Sequence, residues 1–157
     1  MMLGELNEQQ INKLLSQQVV GRIACCYKDI LYVVPISYAY NGDFIYARSF
    51  EGMKLDIMRK SPNVCFEVDD VRDMANWQSA IVWGKFEELK NQEREEGLRI
   101  LLHRHLPLSS SITAHLGKAW PFSEFDLEEI TGVVFRIAIT KKTGKFERTS
   151  VSDPTFE

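Results

Sequence analysis

Apolar and polar positions change period several times along the chain, and each change predicts an element. Over "LNEQQINKLL" the apolar residues recur at helical spacing behind a full start signal. Asn7 is the cap, Gln10 three residues on completes a capping box, and Leu6 with Ile11 forms a hydrophobic staple, so a helix is predicted near residues 8 to 17. Next come "VVGRIACCY" and "ILYVVPISYAY", rich in Val, Ile and Tyr and separated only by Lys28 and Asp29. These predict two strands joined by a tight turn. Asn41-Gly42 reads as the centre of a two-residue hairpin, because both residues tolerate positive φ, and it leads into a third strand, "FIYARS". After Gly52, "MKLDIMRKSP" reads as about two helical turns ended by Pro62. "NVCFEVD" and "WQSAIVWGKFEEL", from Trp77 to Leu89, resume strand character. "NQEREEGLRILLHRHL" places Leu98, Leu101, Leu102 and His105 on a second long helix with Asn91 as its cap. Residues 106 to 126 form a Pro- and Ser-containing connection, "TGVVFRIAITKKTGKFER" a final strand or hairpin, and residues 149–157 a frayed tail.

Strands dominate, and hairpins join them where a parallel sheet needs long helical crossovers, so a doubly wound fold is excluded. The expected class is mainly β (α+β), an antiparallel barrel with peripheral helices. The 157 residues suffice for one domain with its own core. A net charge of -3 opposes general nucleic-acid binding, which requires a basic surface, so any anion site must be local. Three cysteines, two of them adjacent at Cys25 and Cys26 in an apolar run, suit reduced buried thiols and hence the cytoplasm. No stretch has signal-peptide character or the length of a membrane span, which predicts a soluble protein without membrane association.

One stretch concentrates possible chemistry. "RSFEGMK" offers Arg48, the Ser49 hydroxyl, backbone N–H groups around Gly52, and Lys54, all beside a predicted helix start where amides and dipole favour an anion. On spacing alone the plainer reading prevails, that these are solvated surface charges around an ordinary turn. Pro35 interrupts "YVVPISYAY" and marks a sheet edge, a bulge, or a place where something other than a strand lies alongside. His103 and His105 do not share a helix face and Cys25 and Cys26 alternate in a strand, so no zinc site is expected. Met53 and Met58 read as core filler. Lys141, Lys142 and Lys145 read as a solvated strand end that in a dimer could approach a partner's anion site. Neither a Gly-rich nucleotide loop nor a Ser/His/Asp or Cys/His nucleophile arrangement is present.

Taken in order, "GRIACCYKDILYVVPISYAYNGDFIYARSFEGMKLDIMRKSPNVCFEVD" and "WQSAIVWGKFEEL" resemble the flavin-binding split-barrel proteins of the pyridoxamine 5′-phosphate oxidase-like superfamily, in particular the branch containing nitroimidazole-resistance proteins. The likeness runs from about Gly21 to Leu89, with support from "VVFRIAITKKTGK". It implies a split β-barrel homodimer with FMN at the subunit interface. The isoalloxazine would lie along Val34, Pro35, Ile36 and Ser37, and the phosphate near Ser49 and Lys54. Where the branch usually has histidine before the serine this chain has Arg48, and where a second basic residue often precedes the lysine it has Met53. A guanidinium forks well onto phosphate oxygens, so Arg48 can replace the lost cation, but chemistry that relies on the histidine does not carry over. Trp77 and Ser79 open the strand that follows, a region that can reach the flavin in such families, although a tryptophan there more often serves packing.

The function these observations imply is that of an FMN-dependent oxidoreductase, with a small-molecule substrate and an external electron donor. Two alternatives remain: a flavin-binding module without turnover, for storage, sensing or transfer, and a split barrel that binds haem or no cofactor. The apolar runs Ile81 to Trp83 and Val133 to Ile139 exceed what one small barrel interior needs, which agrees with a two-fold interface.

Overall fold

Short connections between β-rich runs commit neighbouring strands to antiparallel pairing, and every pairing among the described residues is antiparallel. The computed structural model describes residues 1–104, 127–128 and 130–149. The expected connection over residues 106 to 126, His105, and the tail after residue 149 lie outside the described residues. The strands are β1 (Met2–Glu5), β2 (Val20–Tyr27), β3 (Ile30–Tyr40), β4 (Phe44–Ser49), β5 (Asn63–Asp73), β6 (Asn76–Glu88) and β7 (Val133–Arg148). The helices are α1 (Glu8–Gln17), α2 (Met53–Lys60) and α3 (Asn91–His103). The sheet order is β1-β7-β4-β3-β2-β5-β6, and β7 also pairs with β6, which closes the sheet into a barrel. The expected mainly-β barrel with peripheral helices is the fold observed.

The long strand β7 makes the closure. Residues Val133–Ala138 pair with β4 along one edge, Lys145–Arg148 take β1 on the same edge, and the other edge runs along β6 from Phe135 to Glu147. Such a strand has to bend, and it does so at an irregularity where Thr140 is left between the pairs Trp83↔Lys141 and Gly84↔Ile139. The Thr140 hydroxyl donates to the Trp83 carbonyl at 3.1 Å. β1 was not expected from the sequence, because four residues with a mostly exposed pattern carry too little periodicity to read. The C-terminal run is one continuous strand.

The helix α1 starts as its sequence dictates. Asn7 Oδ1 accepts from Gln10 N–H and Gln10 Oε1 accepts from Asn7 N–H, each at 2.9 Å. Leu6, Ile11, Leu14 and Leu15 then join the interior cluster, as do Leu55, Ile57 and Met58 of α2. Met53, expected in the core, is 54% exposed because it opens α2 on the side turned from the barrel. α3 packs Leu98 and Leu101 against Ala39, Tyr46 and Val134, on the opposite face of the sheet from the interior cluster. Asn91 is not its cap. Lys90 occupies that position without a side-chain acceptor, and Asn91 itself takes φ 53°, a left-handed conformation that Asn tolerates. The β3–β4 turn centres on Gly42 and Asp43, one residue later than expected. Gly42 carries the positive φ, and Asn41 Oδ1 accepts from the N–H groups of Asp43 and Phe44 at 3.2 and 2.9 Å.

Gly84 lies where β6 and β7 come together at the bend. A methyl group there would press on the Ala138 carbonyl oxygen and stand 2.7 Å from Ile137 Cγ2. Backbone cannot yield as a side-chain tip does, so Gly84→Ala is expected to destabilise the barrel by about 1–3 kcal/mol. Urea unfolding measures it, and an unchanged midpoint would show that the seam is not constrained at this glycine.

Candidate functional site

β3 and β4 begin as a hairpin and then separate. Tyr38, Ala39 and Tyr40 pair with β4, whereas Ile30 to Ser37 pair only with β2. Continued in register, Arg48 would face Ser37 and Ser49 would face Ile36, but the ladder stops before both. A wedge therefore opens between Val34–Ser37 on one strand and Arg48–Ser49 on the other, and the four residues expected along a flat ligand line one wall of it. Tyr38 N–H donates to the Val19 carbonyl at 3.1 Å. Alternation along the ladder then turns the backbone of Val34 and Ile36 toward β2, and that of Val33, Pro35 and Ser37 toward the open side. Pro35 thus lacks its N–H where no strand asks for it. Of the three readings of this proline, the edge position is the one observed.

Across the wedge the chain leaves β4 through Phe50, Glu51 and Gly52 into α2. Gly52 is extended, with nothing within 4 Å of the point where a Cβ would sit. It leaves open space at the first turn of the helix. Ser49 is buried and its hydroxyl donates to the Phe50 carbonyl at 2.9 Å, which leaves the oxygen lone pairs available. The Lys54 ammonium is half-buried close to Cys25: burial pushes its pKa down, and the Cys25 thiol beside it pushes the other way. Burial, then Cys26, raise Cys25 itself, and Lys54 offsets part of this. Lys54 therefore lies over β2.

Arg48 lies elsewhere. Its neighbours Ala47 and Ser49 turn inward, while Arg48 follows Tyr46 onto the α3 side of β4. There its Nη1 donates to the Thr131 carbonyl and its guanidinium stacks 5.0 Å from the centre of the Phe50 ring. Ser49 borders the wedge, Gly52 and Lys54 follow it into α2 with Lys54 beside Cys25 of β2, and Arg48 is held on the opposite face of the strand. Trp77 and Ser79 are on β6, beyond β2 and β5 from the wedge. Trp77 Nε1 donates to Glu147 at 3.1 Å, and Ser79 donates to Glu67 at 3.1 Å. They share the outer sheet face with Arg22, which pairs with Glu67 and Asp69, and within one subunit they do not meet the wedge.

A family model described as pyridoxamine 5′-phosphate oxidase matches residues 7–146, nearly the whole described barrel. The chain belongs to the pyridoxamine 5′-phosphate oxidase family. Among solved structures it is similar to a FAD-binding protein of Mesorhizobium loti, with 29% identity, a TM-score of 0.70, and coverage of 93% of this chain and 99% of that one. It is also similar in fold to a candidate 5-nitroimidazole antibiotic resistance protein of Bacteroides thetaiotaomicron, with 20% identity, a TM-score of 0.68, and coverage of 93% and 89%. An uncharacterized protein of Rhizobium meliloti is 39% identical over 70 residues, a stretch spanning 45% of this chain and 46% of that protein, so about half of each length is compared. Membership of the family agrees with the split-barrel resemblance read from the sequence.

One contributor to the site is absent from the sequence reading. Arg59 on α2 makes paired bonds to Glu51, at 2.7 and 2.9 Å, and to Glu88 at the end of β6, at 2.9 and 3.1 Å. It ties the loop between Ser49 and α2 to the barrel. Nothing local signals this, because eight residues separate Arg59 from Glu51 and 29 from Glu88. The guanidinium holds both carboxyls below their ordinary value of 4.5. Groups with depressed folded pKa stabilise above the unfolded value, and the contribution is lost as pH falls through the folded one. The clamp is therefore complete at neutral pH and released only in acid below about pH 4.5. Arg59→Gln should make the amides of Glu51, Gly52 and Met53 exchange with deuterium faster at pH 7 while those of Ile57 and Met58 stay protected. Equal exchange in both proteins would mean the loop is held by other contacts.

Proposed function

We propose that this chain is an FMN-dependent oxidoreductase that works as a homodimer, with the flavin seated in the wedge between β3 and β4. The observation that carries the proposal is the unpaired edge of β3 from Val33 to Ser37, opposite Ser49 by register, with Gly52 and Lys54 following Ser49 at the start of α2. Membership of the family supports it, as does the 29% identity to a protein named as FAD-binding. The residues present fit the group. The open backbone edge offers carbonyl acceptors at Val33, Pro35 and Ser37 and N–H donors at Val33 and Ser37, which suits the hydrogen-bonding rim of a flat heteroaromatic ring. Lys54, the first turn of α2 and the open space at Gly52 suit a terminal phosphate. Bound there, a flavin supplies hydride and electron transfer. The chain's own part is to orient the ring along β3, to neutralise the phosphate with Lys54, and to keep water from one ring face with Val34 and Ile36. A small-molecule substrate and an external electron donor complete the reading, and three free cysteines suit a reducing, cytoplasmic compartment.

A second subunit is part of the proposal because the wedge has walls on too few sides to cover a tricyclic ring. On the outer sheet face Leu31 is 80% exposed, Val33 63% and Trp83 36%, with Ala24, Cys26, Cys65 and Ile81 half-buried between them. Val82, counted among the surplus apolar residues, instead faces the barrel interior with no exposure. The remaining apolar face runs on from the β3 edge, so a partner packed there reaches the wedge. No helix among the described residues is long and apolar enough to cross a membrane.

Lys54→Ala should weaken FMN about ten-fold or more and leave riboflavin, which lacks the phosphate, near its original affinity. Equal losses for the two ligands would remove Lys54 from the phosphate. Size exclusion with light scattering, followed at flavin wavelengths through serial dilution, should show a dimer that releases flavin as it dissociates. A monomer that keeps its flavin would overturn the shared site. The absorbance spectrum of the purified protein separates the alternatives: a flavin band is expected, whereas a Soret band, or no uptake of added FMN, contradicts the proposal.

A further inference from the structure

Arginines in this chain are normally paired. Arg22, Arg59, Arg72, Arg99 and Arg136 each have a carboxylate within 4.0 Å. Arg48, Arg94 and Arg104 have none among the described residues: Arg48 near the end of β4 and Arg94 near the start of α3 both reach the chain that leads into β7, and Arg104 follows the other end of α3, where its charge opposes that of Arg48. Arg94 Nη2 donates to the Ile130 carbonyl at 2.6 Å and reaches that of Gly132 at 3.4 Å, while Arg48 Nη1 donates to the Thr131 carbonyl between them. Two guanidinium groups thus share three successive carbonyls. A Cβ placed on Gly132 would stand 3.3 Å from Arg48 Nη1, so the chain passes directly against that cation. Arg104, just past the end of α3, has its Nε and Nη2 buried without a hydrogen-bond partner.

These like charges oppose one another. Burial lowers the pKa of Arg48 and the Arg94 charge lowers it further; burial and then Arg48 push Arg104 down to about 10. If the three served only to tether the Ile130–Gly132 stretch, neutral donors would do so without repulsion, and among the described residues Arg104 makes no such tether. Partly desolvated cations without counter-charge destabilise a fold on their own, and an anion that supplies the missing acceptors reverses this. Guanidinium forks match the tetrahedral, multiply charged oxygens of phosphate better than a single carboxylate.

We propose that Arg48, Arg94 and Arg104 form a binding site for a phosphate or pyrophosphate group, distinct from the wedge on the other face of β4. Two sources share this chemistry. One is the second phosphate of a dinucleotide flavin, whose chain would pass round the end of β4 from Ser49 to Arg48, and this source rests on the flavin reading above. The other is a separate phosphorylated small molecule, which does not.

The test uses the full chain stripped of flavin, with inorganic pyrophosphate as probe and chloride at matched ionic strength as control. The wild-type melting temperature should rise saturably with pyrophosphate and much less with chloride. Arg104→Gln should melt higher than wild type in phosphate-free buffer, because a repulsive buried charge has gone, and should lose the pyrophosphate response. Arg104→Lys, which keeps the charge but not the fork, guards against a folding defect in the first variant and should bind pyrophosphate about ten-fold more weakly. An equal response in wild type and both variants, or a glutamine variant less stable than wild type without phosphate, overturns the site. Titrations of FMN and FAD into Arg104→Gln identify the source. Loss of FAD affinity alone assigns the site to the dinucleotide, and retention of both flavins with loss of pyrophosphate binding assigns it to a separate ligand. Equal loss of FMN and FAD would merge the site with the wedge and refute its distinctness. Failure of the Lys54→Ala test would refute the wedge while leaving the pyrophosphate response standing.

Discussion

Closure through β7 is the constraint on which the other features depend. A strand of 16 residues that pairs on both edges fixes β4 on one side and β6 on the other, so the curvature of the ring is set by where β7 bends. With β4 held against β7 along its whole length, β3 cannot follow it past Tyr38, because β3 must also stay in register with β2 from Ile30 to Ser37. The wedge follows from these two demands on β3. α2 then enters from the end of β4 and fills the interior with Leu55, Ile57 and Met58 where the β3–β4 ladder no longer does.

Local chemistry made much of this legible in advance. Asn7 and Gln10 announce α1 because both halves of the capping box lie within four residues, and Pro62 ends α2 for an equally local reason. Distant strand pairings leave no such local mark. β1 owes its existence to the β7 edge beyond the reach of β4, and a four-residue strand carries no pattern that would betray such a docking place. Asn41 shows a subtler limit: the dipeptide Asn-Gly signals a turn correctly, but whether Asn supplies the backbone bend or the side-chain acceptor depends on the strand register, which is set by pairing further along.

The candidate site was legible to the extent that its residues are contiguous. Val34 to Ser37 and Ser49 to Lys54 sit on short stretches whose composition is unusual for a strand edge and a helix start. Which face Arg48 takes was invisible, since it depends on the phase of β4 against the core, and that phase places Ala47 and Ser49 inside. Arg59 and Arg94 acquire their surroundings from Glu88 and from the carbonyls of Ile130 and Gly132, and Arg104 meets the charge of Arg48, all tens of residues away. Spacing cannot reveal charges that meet only after the barrel closes.

The free edge of β3 carries a hazard as well as an opportunity. Exposed backbone beside Ile30, Leu31 and Val33 is a template for an additional strand, and intermolecular pairing on such edges leads to aggregation. Pro35 sits within that edge with its ring projecting where an incoming strand would need a donor, so a continuous ladder cannot form across it. A ring system that bonds to only a few backbone groups is not refused in the same way. On the proposed reading the proline then acts as a filter on what can lie in the split, admitting a planar ligand while discouraging polypeptide.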